Sequence, residues 1–101
     1  MKSQTQQTPL MAQYYKVKQA HPDTILLFRV GDFFETFEDD AKLASKVLGI
    51  TLTKRSNGSS GDTPLAGFPH HAIDTYLPKL VRAGYRVAVC EQMENPKFAK
   101  G

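Results

Sequence analysis

The sequence predicts a single α/β domain in which about three α-helices flank a small mixed β-sheet. Residues 24–30 form a near-continuous apolar run, which is typical of a strand covered on both faces. The elements follow one another as helix, hairpin, helix, hairpin, helix and strand, an order that fits a mixed sheet with helices packed against it. The length of 101 residues allows one hydrophobic core and is too short for two.

The first helix has clear start and stop signals. Thr8 is a good N-cap and Pro9 suits the first helical position, while the His21-Pro22 step predicts the end. Residues 1–7 are polar and predict a flexible tail. We therefore place the domain at residues 8–93, and we interpret residues 94–101 as the start of a linker.

A tight hairpin is predicted around Gly31 and Asp32, because both residues tolerate positive φ and follow the apolar run. Residues 33–37 then form the returning strand. Side chains alternate along a strand, so Phe33, Glu35 and Phe37 share one face while Phe34 and Thr36 share the other. The Cα atoms of Phe33 and Glu35 should stand about 6.6 Å apart.

The rest of the chain predicts a second helix, a hairpin, a third helix and a final strand. Asp39 and Asp40 are expected to cap the second helix, and Gly49 to end it. The remaining predicted elements are a strand at 50–53, a polar loop at 56–62, a short strand at 65–68, a third helix from Pro69 to Gly84 that is bent at Pro78, and a strand at 85–91.

Composition places the chain among ordinary globular proteins, with 41% hydrophobic and 23% charged residues. A net charge of +3 is compatible with an anionic partner. The single cysteine, Cys90, permits no internal disulfide and favours a reducing compartment. The N-terminus lacks the apolar block of a signal peptide, and no apolar run approaches membrane-spanning length. We expect a cytoplasmic protein and no membrane partner.

No enzymatic chemistry is predicted for this chain. Gly58-Ser59-Ser60-Gly61 lacks the lysine and the following helix of a nucleotide-phosphate loop. His70 and His71 are adjacent and point apart, and Cys90 lies on a distant strand, so no metal site is expected. No nucleophile and base form a defensible pair, and we expect no cofactor.

Lys54 and Arg55 follow the strand predicted at 50–53 and open the polar loop. This position suits contacts with phosphates, but a solvated strand end explains it equally well. Phe33 and Glu35 have two interpretations as well. They either read a nucleotide together, as a ring and a hydrogen-bonding group, or are core and strand-edge residues of a structural or protein-interaction domain. A third hypothesis, an endonuclease-like enzyme, rests only on acidic residues and the mixed sheet.

The segment from Gly31 to Glu35, followed by Phe37 and by Asp39-Asp40-Ala41, resembles the Gly-Asp-Phe-Tyr-Glu-x-Phe-x-Asp-Asp-Ala segment of the MutS family of DNA mismatch-repair proteins. The resemblance continues in the same order along the chain. Its further pieces are Thr8-Pro9-Leu10-Met11, His21-Pro22, Ile50-Thr51-Leu52-Thr53-Lys54-Arg55, Pro64-Leu65-Ala66-Gly67, His71-Ala72, Tyr76-Leu77, Lys79-Leu80-Val81 and Val87-Ala88-Val89-Cys90-Glu91-Gln92.

The resemblance implies an amino-terminal mismatch-recognition domain. In that family a Phe-x-Glu pair reads mispaired bases, and Phe33 and Glu35 match it. The aromatic ring is then inserted from the minor groove beside the mispaired base, and the carboxyl group hydrogen-bonds that base. We assign possible contacts with the DNA backbone to Lys54, Arg55, Asp32 and Val30.

The resemblance also implies a larger parent protein. Its connector, lever, clamp and ATPase domains would follow Gly101, so ATP and Mg would bind in the C-terminal domain and not in this chain. The implied partners are double-stranded DNA with mismatches or small loops, the remaining domains of the parent, and a second parent subunit. The chain departs from the family pattern at Pro78, at His70 and at Phe34, where tyrosine is usual at the last two positions.

Overall fold

The computed structural model describes residues 7–91. Within them the chain forms a five-stranded mixed sheet and three α-helices, which confirms the predicted fold class. Residues 1–6 of the predicted tail and the whole predicted linker lie outside the described residues. The boundaries of the domain therefore stay predictions.

The described elements alternate as the sequence predicts. They are α1 (Pro9–Ala20), β1 (Thr24–Val30), β2 (Phe33–Phe37), α2 (Glu38–Leu48), β3 (Thr53–Ser56), β4 (Asp62–Pro69), α3 (Ile73–Arg82) and β5 (Arg86–Cys90). The sheet order is β3-β4-β2-β1-β5, with β5 parallel to β1 and the other pairs antiparallel. Strand β2 therefore lies at the centre of the sheet, between β4 and β1.

The predicted start and end of α1 are confirmed. The Thr8 hydroxyl accepts a hydrogen bond from the backbone N–H of Met11 at 3.3 Å, and Pro9 occupies the first helical position. The helix ends at Ala20, followed by His21 as the C-cap. The capping oxygen satisfies a backbone donor that has no partner within the helix.

The hairpin between β1 and β2 is also confirmed. Val30 pairs with Phe33, which leaves a two-residue turn. Positive φ falls on Gly31, at 58°, and not on Asp32. Glycine suits this position because it adopts positive φ without the strain that most side chains would cause.

Both faces of the sheet are covered, as the apolar run of β1 predicts. One cluster, on the side of α2 and α3, contains Ile25, Leu27, Phe34, Ala44, Leu48, Phe68 and Leu80. The other, on the side of α1, contains Met11, Tyr14, Leu26, Phe28 and Phe37. Strand β2 contributes to both cores because its residues alternate between the two faces.

Asp40 is not a helix cap, contrary to the prediction. The N-cap of α2 is Phe37, and no side chain caps this helix. Asp40 is buried in the first turn, where its Oδ2 accepts hydrogen bonds from Tyr14 Oη at 3.2 Å, Lys18 Nζ at 2.8 Å and Leu26 N at 3.1 Å. One carboxylate thus joins α1, β1 and α2. Sequence reasoning missed this role because all three donors are distant in sequence.

The strand predicted at 50–53 is wrong. Strand β3 begins at Thr53 and includes Lys54 and Arg55, which pair with Pro64 and Thr63 of β4. Ile50 instead packs against the core of the α2 and α3 side, before the strand begins. The alternation of Ile50 to Thr53 favoured a strand, but the register of the β3–β4 hairpin overrides that local preference.

The polar loop is short and ordered by its own hydrogen bonds. A 3₁₀ turn spans Gly58–Ser60, and the N–H of Asn57 donates to Gly61 O at 2.8 Å. Asn57 is buried, and its Oδ1 accepts a hydrogen bond from the N–H of Thr8 at 3.0 Å. The loop is thereby tied to the start of α1.

Strand β4 is longer than the predicted strand at 65–68, because it pairs with β3 through residues 62–65 and with β2 through residues 65–69. The predicted start of the third helix at Pro69 is wrong, because Pro69 is the last residue of β4 and a 3₁₀ turn at His70–Ala72 precedes α3. Helix α3 contains Pro78 and ends at Arg82, two residues before Gly84, whose φ is 98°. The last strand spans residues 86–90 of the predicted 85–91.

We expect Asp40→Ala to lower the free energy of unfolding of the 101-residue chain by about 3 kcal/mol or more. The change removes the acceptor of the buried Leu26 N–H and one of the two acceptors of the Tyr14 hydroxyl and of the Lys18 ammonium, which keep their bonds to Phe37 O and Thr24 O. The matched control is Asp39→Ala, because the Asp39 side chain is 94% exposed and lies 3.9 Å from Lys42. That control should cost less than about 1 kcal/mol. Urea unfolding of both variants measures the difference, and equal losses would show that Asp40 does not join the three elements.

Candidate nucleic-acid interface

Phe33 presents an aromatic ring to solvent at the end of the central hairpin. It is the first residue of β2, is 43% exposed, and belongs to neither core cluster. Its cross-strand partners are Val30 in β1 and Pro69 in β4. Within residues 7–91 it is the one exposed Phe or Tyr. The next residue, Phe34, points to the opposite face and is 2% exposed.

The turn that carries Phe33 is fastened at both of its carbonyl groups. The N–H of His70 donates to Asp32 O at 2.7 Å, and Arg29 Nε donates to Gly31 O at 2.6 Å. The Arg29 guanidinium also lies 5.9 Å above the Phe34 ring and 3.5 Å from the Glu91 carboxylate. Sequence reasoning missed Arg29 and His70, since neither contact leaves a pattern in the sequence. The ring of Phe33 is therefore held on a rigid base.

Glu35 lies two residues further along β2, on the same face as Phe33. It stands opposite Phe28 in β1 and Gly67 in β4, and its side chain is 16% exposed. A Cβ atom at Gly67 would come within 2.8 Å of Phe34 O and 3.2 Å of Glu35 Cγ. The glycine therefore makes the room that the Glu35 side chain occupies.

Arg55 is the charged partner of Glu35. Its Nη1 lies 3.4 Å from Glu35 Oε1, and its side chain is 36% exposed. Burial raises the pKa of the Glu35 carboxyl above its ordinary value, and the Arg55 charge offsets part of that increase. The sequence did not predict the Glu35–Arg55 pair, because the strand was predicted at residues 50–53, which put Arg55 in the loop after it.

Lys54 points away from this site. Adjacent strand residues face opposite sides of a sheet, so Lys54 and Arg55 diverge. Lys54 Nζ lies 3.8 Å from Asp62 Oδ2, and both side chains are exposed. The two basic residues that the sequence put together are therefore separated by the sheet.

The other predicted backbone-contact residues flank the ring. Val30 is half-buried directly beside Phe33, and Asp32 is exposed in the turn. The residues that line an open cleft of about 440 Å³ include Phe33, Glu35, Gly67, Ile50 and Tyr76. The structure thus brings together a stacking surface, one hydrogen-bonding carboxyl group and one cation.

Two further observations concern metal binding and membrane insertion in the described part of the chain. Within residues 7–91, no group of three or more His, Cys, Asp or Glu side chains is arranged to hold a metal ion. In the same part of the chain, no helix combines the length and apolar character needed to cross a membrane.

Comparison with known proteins identifies the family. Residues 8–101 match the family model of MutS domain I. The chain is 68% identical over 94 residues to the DNA mismatch repair protein MutS of Porphyromonas gingivalis, which covers 93% of the chain and 10% of that protein. It is 62% identical over 102 residues to the protein of the same name from Salinibacter ruber, with 98% of the chain and 11% of that protein covered.

The match to the Flavobacterium psychrophilum protein of that name is similar, at 67% identity over 94 residues. The chain spans about a tenth of the length of these relatives. The matched family model covers the hairpin, the carboxyl group and the basic strand described above. The chain therefore belongs to the MutS family of mismatch-repair proteins, and corresponds to domain I.

Proposed function

We propose that this chain recognises mispaired or unpaired bases in double-stranded DNA, with the Phe33 ring inserted from the minor groove beside the base and Glu35 hydrogen-bonded to it. The observation that carries the proposal is the exposure of Phe33 on a fastened turn, with Glu35 two residues along the same face. The relatives' name, DNA mismatch repair protein MutS, supports the same function.

The energetics of insertion explain how a ring without sequence-specific contacts discriminates. Separating two stacked base pairs costs a few kcal/mol, and stacking of a base on an aromatic ring returns about 1–3 kcal/mol. A mispair has already lost part of its pairing and stacking, so the net cost is lower there. Discrimination then follows from the deformability of the DNA, and different mispairs are accepted by one ring.

The rigid hairpin strengthens this mechanism. A side chain that is ordered only on binding loses conformational entropy at that moment, about 0.5–1.5 kcal/mol for a flexible one. The Phe33 ring stands on a turn whose two carbonyl groups are already hydrogen-bonded, between Val30 and Pro69. The backbone beneath the ring is therefore already ordered, and only the side-chain torsions of Phe33 remain to be fixed when the ring enters the base stack.

Glu35 supplies the second half of the discrimination. An ionised carboxylate close to phosphates is repelled, which opposes binding to any duplex. A hydrogen bond from Glu35 to an acceptor on the base requires the protonated carboxyl group, and burial raises the pKa in that direction. Where a base offers such an acceptor, protonation removes the repulsion and the hydrogen bond adds to the affinity.

Contacts with the DNA backbone complete the proposal. Arg55 lies on the face of the ring and is assigned a phosphate, since its planar guanidinium suits that geometry. Lys54 faces the other side of the sheet and reaches phosphate only if the edge of β3 approaches the DNA. Val30 and Asp32 would contact the backbone next to the inserted ring.

The rest of the mechanism belongs to the parent protein. We propose that the parent carries the ATPase domain with its ATP and Mg, dimerises, and acts in the cytoplasm on nucleoid DNA. In this scheme the present chain contributes recognition and no catalysis.

The alternative is an α/β domain that is structural or binds another protein. Its structural version requires Phe33 in the core, whereas the ring is 43% exposed and lies on neither cluster. An exposed ring also suits a protein partner, so the binding experiments below decide between the two.

We expect Phe33→Ala in the full-length parent to remove the preference for heteroduplex over homoduplex DNA, because the wedge is lost. The stability of the 101-residue chain should change little, since an exposed ring contributes little to the core. The matched control is Phe34→Ala, which removes a 2% exposed ring and should cost about 3–5 kcal/mol of unfolding free energy. Dissociation constants and urea unfolding give the two measurements. Mismatch preference that survives in Phe33→Ala would contradict the proposal.

We expect Glu35→Ala and Glu35→Gln to raise affinity for homoduplex DNA, because each removes the negative charge that attracts Arg55 and so makes Arg55 more available to phosphate. With a mispair, the lost hydrogen bond from the neutral carboxyl group, worth about 0.5–1.5 kcal/mol, offsets this gain for Ala. Gln retains a neutral donor and should keep more of the heteroduplex affinity. The ratio of heteroduplex to homoduplex affinity should therefore fall, mainly because homoduplex affinity rises.

The measurement is a pair of dissociation constants, homoduplex and single mismatch, for wild type and both Glu35 variants at one salt concentration, because phosphate contacts make affinity depend on salt. An unchanged or lower homoduplex affinity in both variants would show that Glu35 does not face the DNA as a charge.

A further inference from the structure

We infer that Arg55 changes partners on binding: it pairs with Glu35 in the free protein and moves to a DNA phosphate in the complex, so that contact with the DNA backbone is coupled to protonation of Glu35. This inference rests on the proposed function and deepens it. It makes Arg55 a positioning residue that acts on the base through Glu35.

The Glu35–Arg55 contact has the geometry of a pair that breaks readily. The distance between Nη1 and Oε1 is 3.4 Å, longer than the 2.7–2.9 Å or so of a strong charge-assisted hydrogen bond. One nitrogen faces one oxygen, with no second bond of the kind that a bidentate pair makes. Because its arginine is partly exposed, such a pair stabilises the free protein only weakly.

The position of Arg55 allows a phosphate to compete for it. Arg55 lies on β3, which is an edge strand, and it projects on the face that carries Phe33 and Glu35. Its side chain is 36% exposed, whereas that of Glu35 is 16% exposed. The arginine can therefore swing outward while the carboxyl group stays in place, held between β1 and β4.

The surroundings of Glu35 make its charge depend on that one arginine. Its cross-strand partners, Phe28 in β1 and Gly67 in β4, carry no charge. Arg55 on β3 is the charged group that faces it among the described residues. Burial raises the pKa of Glu35 and Arg55 lowers it. Once Arg55 has moved to a phosphate, nothing opposes the effect of burial, and the nearby phosphate charges raise the pKa of Glu35 further.

The chemical consequence is that Glu35 becomes a hydrogen-bond donor only when the protein is bound to DNA. Glu35 takes up one proton from solvent when Arg55 engages phosphate. The neutral carboxyl group is no longer repelled by the backbone, and its O–H donates to an acceptor on the mispaired base. Binding to a heteroduplex should therefore be accompanied by uptake of about one proton at a pH where free Glu35 is ionised.

The test uses the full-length parent and measures dissociation constants for homoduplex and single-mismatch DNA across a pH series at fixed salt. Calorimetry in buffers of different ionisation enthalpy counts the protons taken up with the heteroduplex. The variants are Arg55→Gln, which removes the charge, and Arg55→Lys, which keeps it. Lys54→Gln is the matched control, because Lys54 is the neighbouring cation on the opposite face. Glu35→Gln removes the titrating group.

In the wild type, heteroduplex affinity should fall as pH rises above the pKa of free Glu35, by at most about tenfold per pH unit for one proton. Arg55→Gln raises that pKa, so the fall should begin at a higher pH and fewer protons should be taken up below it. Arg55→Lys and Lys54→Gln should leave the onset near the wild-type pH. Glu35→Gln should abolish this pH dependence.

An onset that is unchanged in Arg55→Gln, or that shifts equally in Lys54→Gln, overturns the coupling. A fall in affinity that persists in Glu35→Gln assigns the proton to another group and also overturns it. In each of these cases the proposed function stands if Phe33→Ala still abolishes mismatch preference. Loss of the proposed function is recognised separately, by a wild-type protein that binds both duplexes equally.

Discussion

The two-residue repeat of strand β2 is the constraint on which the rest of this structure depends. Because β2 is paired on both sides, its side chains have only the two faces of the sheet to occupy. Phe34 enters the core of the α2 and α3 side, and Phe37 enters the core of the α1 side. These buried rings fix the register, and the register places Phe33 and Glu35 on one face. A shift of one residue would bury the ring that is proposed to read DNA.

The elements around β2 keep this register rigid. Asp40 joins α1, β1 and α2 through one buried carboxylate, and the turn before Phe33 is hydrogen-bonded at both carbonyl groups. Gly67 leaves space for the Glu35 side chain, while β3 brings Arg55 to it. The site therefore combines an exposed ring on a hydrogen-bonded turn and a largely buried carboxyl group with a more exposed cation. That division suits a protein that must deform DNA yet respond to its phosphates.

Much of this arrangement follows from local sequence, and the exceptions share a physical cause. The cap at Thr8, the turn at Gly31 and the common face of Phe33 and Glu35 depend on neighbours in the chain, and the structure agrees with them. The start of β3, the role of Asp40 and the Glu35–Arg55 pair depend on which distant segments meet. Local patterns do not encode that register. Lys54 and Arg55 show the consequence. The strand was predicted at residues 50–53 but lies at 53–56, so both residues belong to it and their side chains point to opposite faces of the sheet.

Insertion of the Phe33 ring beside a mispaired base is the central claim, and the fluorescence of 2-aminopurine placed next to a single mismatch tests it most directly. This base is brighter when its stacking on neighbours is disrupted. The full-length parent should raise the fluorescence on heteroduplex DNA but not on the matched homoduplex, and Phe33→Ala should give no increase at protein concentrations where the DNA is bound. An equal increase with Phe33→Ala would contradict the account, because another group would then be opening the base stack.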